Sequence, residues 1–297
     1  MLTLFACPKA FEDHHVGVIQ TNAITSWAHL HPEIEILLIG DEPGIAEISK
    51  QVGATHIGSV RQTDLGTPDM ADAFERAQQA ANSAVLCYVN ADIILMQDFT
   101  LAVARVRHHP LFLMSGSRIN IDQTTYLDFD DPMWERNLRK KAQKEGRFSY
   151  WGNDYFAFSA GLYGPIPPLA IGRGHFDAWL FWEAARRGAR IIDATSVVTS
   201  VHQAHDYAHI PDGSDPWTSR EGMRNLAVTG NNRYWYIASA THDLTPTKEK
   251  RVRGRKLYKW LEDTRVAHLF LYRLGSIRHR LGIRRRSFLG SKRHSGR

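Results

Sequence analysis

The sequence predicts an α/β protein built on a mainly parallel sheet flanked by helices, followed by a basic helical tail. Three observations carry this expectation. Short apolar runs alternate four times with helix-periodic stretches over residues 2–116, the signature of right-handed strand–helix–strand crossovers. The run at 84–89 is apolar without alternation, as in a strand buried on both faces, and delivers two polar residues, Asn90 and Asp92. Charge is also divided, since residues 248–297 hold 17 Lys/Arg against 3 Asp/Glu while residues 1–247 hold 20 against 28.

Residues 2–7 read as the first strand. Val16, Ile19, Ala23, Trp27 and Leu30 give helical spacing over 14–31, and Pro32 stops it. A strand at 34–40, a helix at 43–52 ended by Gly53 and a strand at 56–60 follow. Gly66–Thr67–Pro68–Asp69 opens a helix to residue 81, with Thr67 as its cap and Pro68 in its first turn. After the strand carrying Asn90 and Asp92 come a helix at 97–108 and a strand at 111–116. The pattern then loosens into a charged helix at 131–146, an aromatic segment at 148–158 and a Gly/Pro-rich stretch at 161–174. A helix opening at His175–Phe176–Asp177 ends at Gly188, and strands follow at 190–192 and 195–201. Loops at 212–216 and 230–233, a short helix from Arg220 and a strand at 234–238 complete the body.

A chain of 297 residues, 43% hydrophobic and 23% charged, has room for one large α/β domain or two small ones. No apolar run is long enough to span a bilayer, and the start lacks the basic region of a signal peptide. The expected setting is cytoplasmic, with Cys7 and Cys87 as reduced core residues. Neither a Gly-x-Gly-x-x-Gly after the first strand nor a Walker-type lysine loop is present, which argues against a dehydrogenase-type dinucleotide fold and a P-loop enzyme.

Asn90 and Asp92 lie two residues apart, on one side of an extended chain, where open α/β sheets bind ligands. A carboxylate set there against phosphate oxygens calls for a divalent cation between them, the alternative being a simple turn. Downstream, His202, His205, Asp206 and His209 fall within eight residues, without cysteines and without a closed zinc spacing.

Over residues 1–245 this order of motifs resembles the nucleotide-sugar-dependent glycosyltransferases of the GT-A fold, family-2-like, and a bacterial group of such sequences. The segments Asp154–Tyr155–Phe156, Gly172–Arg173, Asp177–Ala178–Trp179 and Ile192–Asp193–Ala194 carry the second likeness. The resemblance implies a metal-assisted transfer of a sugar from a nucleotide-diphosphate sugar to an acceptor hydroxyl. It implies Asp41 as the nucleotide-base contact and Gly66 and Thr67 as the donor loop. Asn90–Ala91–Asp92 stands where the family has Asp-x-Asp, with Asp92 as the firmest ligand of Mn²⁺ or Mg²⁺ and the first aspartate replaced by Asn.

His202, after the last sheet strand, is the implied second ligand, with His205 and His209 read as loop or surface residues. Asp177 is the candidate base, against a helix-end role, and Asp154 is its runner-up or an acceptor contact. Arg118, Asn120 and Arg173 are candidates for donor, acceptor or phosphate contacts, each arginine serving equally well in a structural ion pair. Trp151, Tyr155 and Trp179 are candidate sugar-stacking rings, against core packing for each. Two other readings stay open: a non-catalytic carbohydrate-binding or scaffold protein that keeps the fold, for which Asn90 speaks, and a nucleotidyltransferase.

Residues 246–297 interleave Tyr258, Trp260, Leu269, Phe270 and Leu281 with Arg and Lys, the composition of a basic amphipathic extension. It suits an anionic membrane surface, hence a peripheral place on the inner face of the membrane and a glycan or lipid-linked acceptor in envelope or cell-surface glycan synthesis. The alternative is packing on the body. Nucleic acid is not the expected partner, because no recognised nucleic-acid-binding fold supports one.

Overall fold

A computed structural model describes residues 2–205, 215–230 and 236–252. Strand β1 (Leu2–Ala6) pairs in parallel with β2 (Glu35–Ile39) on one side and β4 (Val85–Val89) on the other, and β3 (Thr55–Ile57) continues beyond β2. Every residue of β1 and β4 is buried, as their uninterrupted apolar sequences require of strands covered on both faces. Beyond β4 lies β9 (Tyr155–Ser159), antiparallel both to β4 and to β6 (Phe112–Ser115). Strands β10 (Arg190–Asp193) and β12 (His242–Leu244) extend the sheet in parallel, and β13 (Glu249–Arg251) closes it antiparallel. The sheet thus has nine strands, and the folded body runs past Thr245 to Val252.

Helices cover both faces. Against one face, α1 (His14–Ala28) and α4 (Gln97–Val106) bury Trp27, Phe99 and Val106; against the other, α3 (Met70–Ala80) and α6 (Phe176–Arg186) bury Phe74, Leu180 and Phe181. Helix α2 (Ile45–Val52) stops at Gly53 in the left-handed region, φ 72°, as expected. Helix α3 is capped by Asp69 and not by Thr67: the Asp69 carboxylate accepts the Ala71 N–H at 2.8 Å, one residue before the helix begins.

The loosened middle of the chain builds a second sheet, in the order β5 (Ile93–Ile94), β11 (Ser200–Gln203), β7 (Arg118–Ile121), β8 (Arg147–Ser149). Helix α5 (Trp134–Glu145) packs Leu138 and Ala142 on its apolar side, against Ile94, Ile121 and Val201. The strand expected at 195–201 begins later, because the Asp193 carboxylate accepts the Thr195 N–H and the Val197 and Val198 N–H groups turn back to Ala194. The shift places His202 inside β11, opposite Ile93. Of the strand expected at 234–238, residues 234–235 lie outside the described residues, and Ile237–Ser239 form a short 3₁₀ turn whose entry is held by Asn153 Oδ1 accepting the Ile237 N–H at 3.2 Å. No helix among the described residues is long and apolar enough to cross a membrane. Residues 206–214, 231–235 and 253–297 lie outside the described residues, and with them Asp206, His209, most of the loops expected at 212–216 and 230–233, and the basic tail.

Candidate active site

The chain leaves β4 at Val89 and turns through Asn90, Ala91 and Asp92 into β5. The Asn90 N–H donates to Asp154 O at 2.9 Å and the Ile93 N–H to Asn90 O at 3.1 Å, so the turn is held at both ends. The Asn90 amide is engaged at both ends too. Its Oδ1 accepts the Tyr88 hydroxyl and its Nδ2 donates to Asp154 Oδ1, each at 2.9 Å. The second Asp154 oxygen accepts from Arg118 Nη1 at 2.8 Å. Asn90, Asp154 and Arg118 thus form a braced chain under the turn.

Asp92 is different. Its Oδ2 lies 2.9 Å from His205 Nε2 and 3.5 Å from His202 Nε2, while its Oδ1 is buried and has no hydrogen-bond partner among the described residues. One ligand atom from each of the three residues falls within 4.8 Å of the others. The pairing of β5 with β11 creates this cluster, since it sets His202 beside the residue that follows Asp92. Burial alone would push the Asp92 carboxyl up, but His202 and His205 outweigh it and hold the group well below the usual carboxylate range. One carboxylate oxygen and two imidazole nitrogens, with an acceptor oxygen to spare, fit a divalent cation; the imidazoles favour Mn²⁺ over Mg²⁺, which prefers an all-oxygen shell.

Asp177 is a second titratable centre. It lies in the first turn of α6, half-buried, with Oδ1 accepting the Ala178 N–H at 2.9 Å. The N-cap position belongs to His175, at φ 76° the single non-glycine residue with positive φ among the described residues. Such strained backbone beside a half-buried acid is a recurring property of functional sites. Burial, with the negative charge of Asp154 added, pushes the Asp177 carboxyl up to about 7, against the lowering effects of the Ala178 N–H and the Arg118 guanidinium. The ring of Phe176, the residue before Asp177, stands 6.1 Å from that of Tyr88, whose hydroxyl bonds Asn90, so α6 begins beside the braced chain.

The other residues singled out in the sequence are placed as follows. Asp41 lies exposed just past β2, and Gly66 sits in an exposed turn at φ 79°. Thr67 and Arg173 are drawn into a buried network around Glu221, at the start of α7 (Arg220–Thr229). Glu221 Oε2 accepts from Thr67 Oγ1 at 2.7 Å and from Arg173 Nε at 2.9 Å, Arg173 Nη2 donates to Thr67 Oγ1 at 3.0 Å, and Thr63 Oγ1 donates to Glu221 Oε1. Tyr155 and Trp179 are core residues, whereas Trp151 is 47% exposed with its ring 4.5 Å from that of Tyr236. Cys7 and Cys87 are free thiols, and burial pushes the Cys7 thiol up to about 12, which removes it as a nucleophile.

No family model matches the chain, and no curated protein matches it. Solved structures do. Glucosyl-3-phosphoglycerate synthase of M. tuberculosis aligns over 77% of this chain and 80% of its own, at 16% identity and a TM-score of 0.47. The mannosyltransferase PcManGT from Pyrobaculum calidifontis, in complex with GDP-Man and Mn²⁺, aligns over 70% and 58%, at 13% identity and a TM-score of 0.42. S. aureus TarS 1-349 aligns over 41% of this chain at 15% identity and a TM-score of 0.32, and the match spans 36% of that protein's length.

Two contributors escape a reading of the sequence. His205, expected on a loop or the surface, approaches Asp92 more closely than His202 does. Its distance of three residues from His202 was the available signal, and only the β5–β11 pairing shows that both imidazoles reach one carboxylate. Glu221 carries no motif at all, since its role arises from partners 48 to 158 residues away.

Proposed function

We propose that the protein is a metal-dependent glycosyltransferase that moves a sugar from a nucleotide-diphosphate donor to an acceptor hydroxyl. The observation that carries the reading is the Asp92–His202–His205 cluster at the carboxyl end of a central parallel strand, with Asp177, an acid of near-neutral pKa, held nearby. Asp92, His202 and His205 would hold Mn²⁺, which when bound supplies charge neutralisation to the departing diphosphate. Asp177 takes the proton of the acceptor hydroxyl, and a pKa near 7 suits that transfer at neutral pH. Asp154 becomes a positioning residue in this scheme: with one oxygen on Asn90 and the other on Arg118, it holds the turn that presents Asp92 and keeps a negative charge near Asp177. Asn90 braces the turn, which accounts for an amide where a second carboxylate was expected. Asp41 and Gly66, past the carboxyl end of β2 and before α3, are assigned to the nucleotide side of the donor. The acceptor is a glycan or a lipid-linked sugar, and the basic tail serves an anionic membrane surface at the inner face of the membrane.

A thermal-shift panel of nucleoside diphosphates and nucleotide sugars, each with and without Mn²⁺, tests the reading on wild type and Asp92→Ala. A ligand bound only by the folded protein raises its melting temperature. A Mn²⁺-dependent rise with one nucleotide series, absent in Asp92→Ala, is expected. No rise with any nucleotide at saturating concentration contradicts the donor site.

A further inference from the structure

Strands β4, β6, β10 and β12 run parallel, so Arg190 and His242, which begin β10 and β12, lie at the edge of the sheet opposite Asn90 and Asp92. An open cavity of about 570 Å³ lies there, lined by Arg105, Arg190, Lys248 and Arg251, three histidines and one carboxylate, Glu249. Glu249 orders much of the wall. Its Oε2 lies 2.7 Å from His109 Nε2, and its Oε1 accepts from Arg190 Nη1 at 2.7 Å and lies 3.9 Å from His242 Nε2. Arg105 Nη2 donates to Thr245 O at 2.7 Å. The hairpin of β12 and β13 is therefore already pinned by Glu249, and Lys248 and Arg251 stand exposed on the rim without a part in that clamp.

Four permanent cations around one carboxylate leave the cavity strongly positive. Its field is felt within it: burial, then Arg190, Arg251 and His109, push His242 down in spite of Glu249. Like charges held this close repel, and an anion relieves the repulsion through charge-assisted hydrogen bonds that guanidinium groups make to two oxygens at once. The sequence beyond β13 continues as the basic segment from residue 253.

We propose that this cavity is a second ligand site, separate from the catalytic one, that binds a phosphate-bearing anion of two or more charges. The anion is a soluble phosphate compound or the headgroup of a phospholipid, the same chemistry from two sources.

The test uses the full chain in metal-free buffer with EDTA. Pyrophosphate is titrated calorimetrically into wild type, Lys248→Gln/Arg251→Gln and Asp92→Ala, with melting curves to establish that each is folded. Saturable binding is expected, weakened about tenfold or more in the double variant and unchanged in Asp92→Ala. Equal binding by wild type and the double variant, or none by wild type, overturns the site. Cosedimentation with vesicles of equal parts phosphatidic acid, whose phosphate monoester can carry two charges, and phosphatidylcholine separates the sources. A loss in the double variant, with competition by pyrophosphate, assigns the headgroup. Variant-sensitive pyrophosphate binding with unchanged cosedimentation assigns the soluble anion.

Discussion

Two largely buried polar clusters, one at the carboxyl end of β4 and the other at the start of α7, are built in opposite ways. Around Glu221, donors and acceptors are spent on one another: Thr63, Thr67 and Arg173 all converge on its two oxygens. Around Asp92, one carboxylate oxygen is shared by two imidazoles and the other has no partner among the described residues. Buried polar groups are normally satisfied, and a satisfied network rigidifies the place where it sits. The Glu221 cluster therefore ties α7 to the loop before α3, while the Asp92 cluster is shaped for something that arrives from outside. Both had been candidates for ligand contact in the sequence, through Thr67 and Arg173 in one case and Asp92 in the other. Only the pattern of pairing separates them.

The comparison can be broken at either cluster. Asp92→Ala should cut Mn²⁺-dependent turnover about a thousandfold while the protein stays folded, measured as initial rates with a donor from the thermal-shift panel. Glu221→Ala should do the reverse. It leaves the Arg173 charge buried without its partner, so stability should fall by about 3–5 kcal/mol in denaturant unfolding, with Mn²⁺ binding by the remaining folded protein unchanged. If Glu221→Ala instead abolishes donor binding at full stability, the division between the clusters is wrong.

Smaller effects sharpen it. Asp177→Asn should lower turnover about a hundredfold. In wild type, kcat/KM should fall as the pH drops below about 7 and Asp177 takes up its proton, and the variant should lack this limb. The stability effect has the opposite sense. Because the folded-state pKa is raised, the native protein holds a proton that the unfolded chain has already lost, so stability declines as pH rises from the ordinary aspartate range to about 7. Asp177→Asn should therefore melt about 2–4 °C above wild type at pH 8. His205→Ala should weaken Mn²⁺ about ten- to a hundredfold, read by calorimetry, because one imidazole donor is lost while Asp92 and His202 remain.

Much of the architecture was legible because it rests on local pattern. The uninterrupted apolar runs of β1 and β4 and the alternation with α1 to α4 specify parallel strands, and Gly53 ends α2 where its backbone freedom is needed. Asp92, His202 and Asp177 were singled out by motif and position, and the structure brings Asp92 and His202 together. The rest depends on pairings between distant segments. The small sheet joins residues 93–94, 118–121, 147–149 and 200–203, none of which carries a long periodic signal, so the reach of His205 could not be read from neighbouring residues; nor could the insertion of β9 between β4 and β6 in the large sheet, which pairs segments about 45 to 70 residues apart. The same holds for Asp154, whose carboxylate looked like a catalytic candidate until Asn90 and Arg118 were found on its two oxygens.

The central claim is that Asp92, His202 and His205 hold a divalent cation that meets the donor. Its most direct measurement is a Mn²⁺ titration followed by electron paramagnetic resonance, with and without a nucleoside diphosphate, on wild type and on Asp92→Ala and His202→Ala. The account expects one Mn²⁺ per chain, bound more tightly when the nucleotide is present and lost in both variants. Free Mn²⁺ signal undiminished by wild type with nucleotide present, or binding that survives both substitutions, would contradict it.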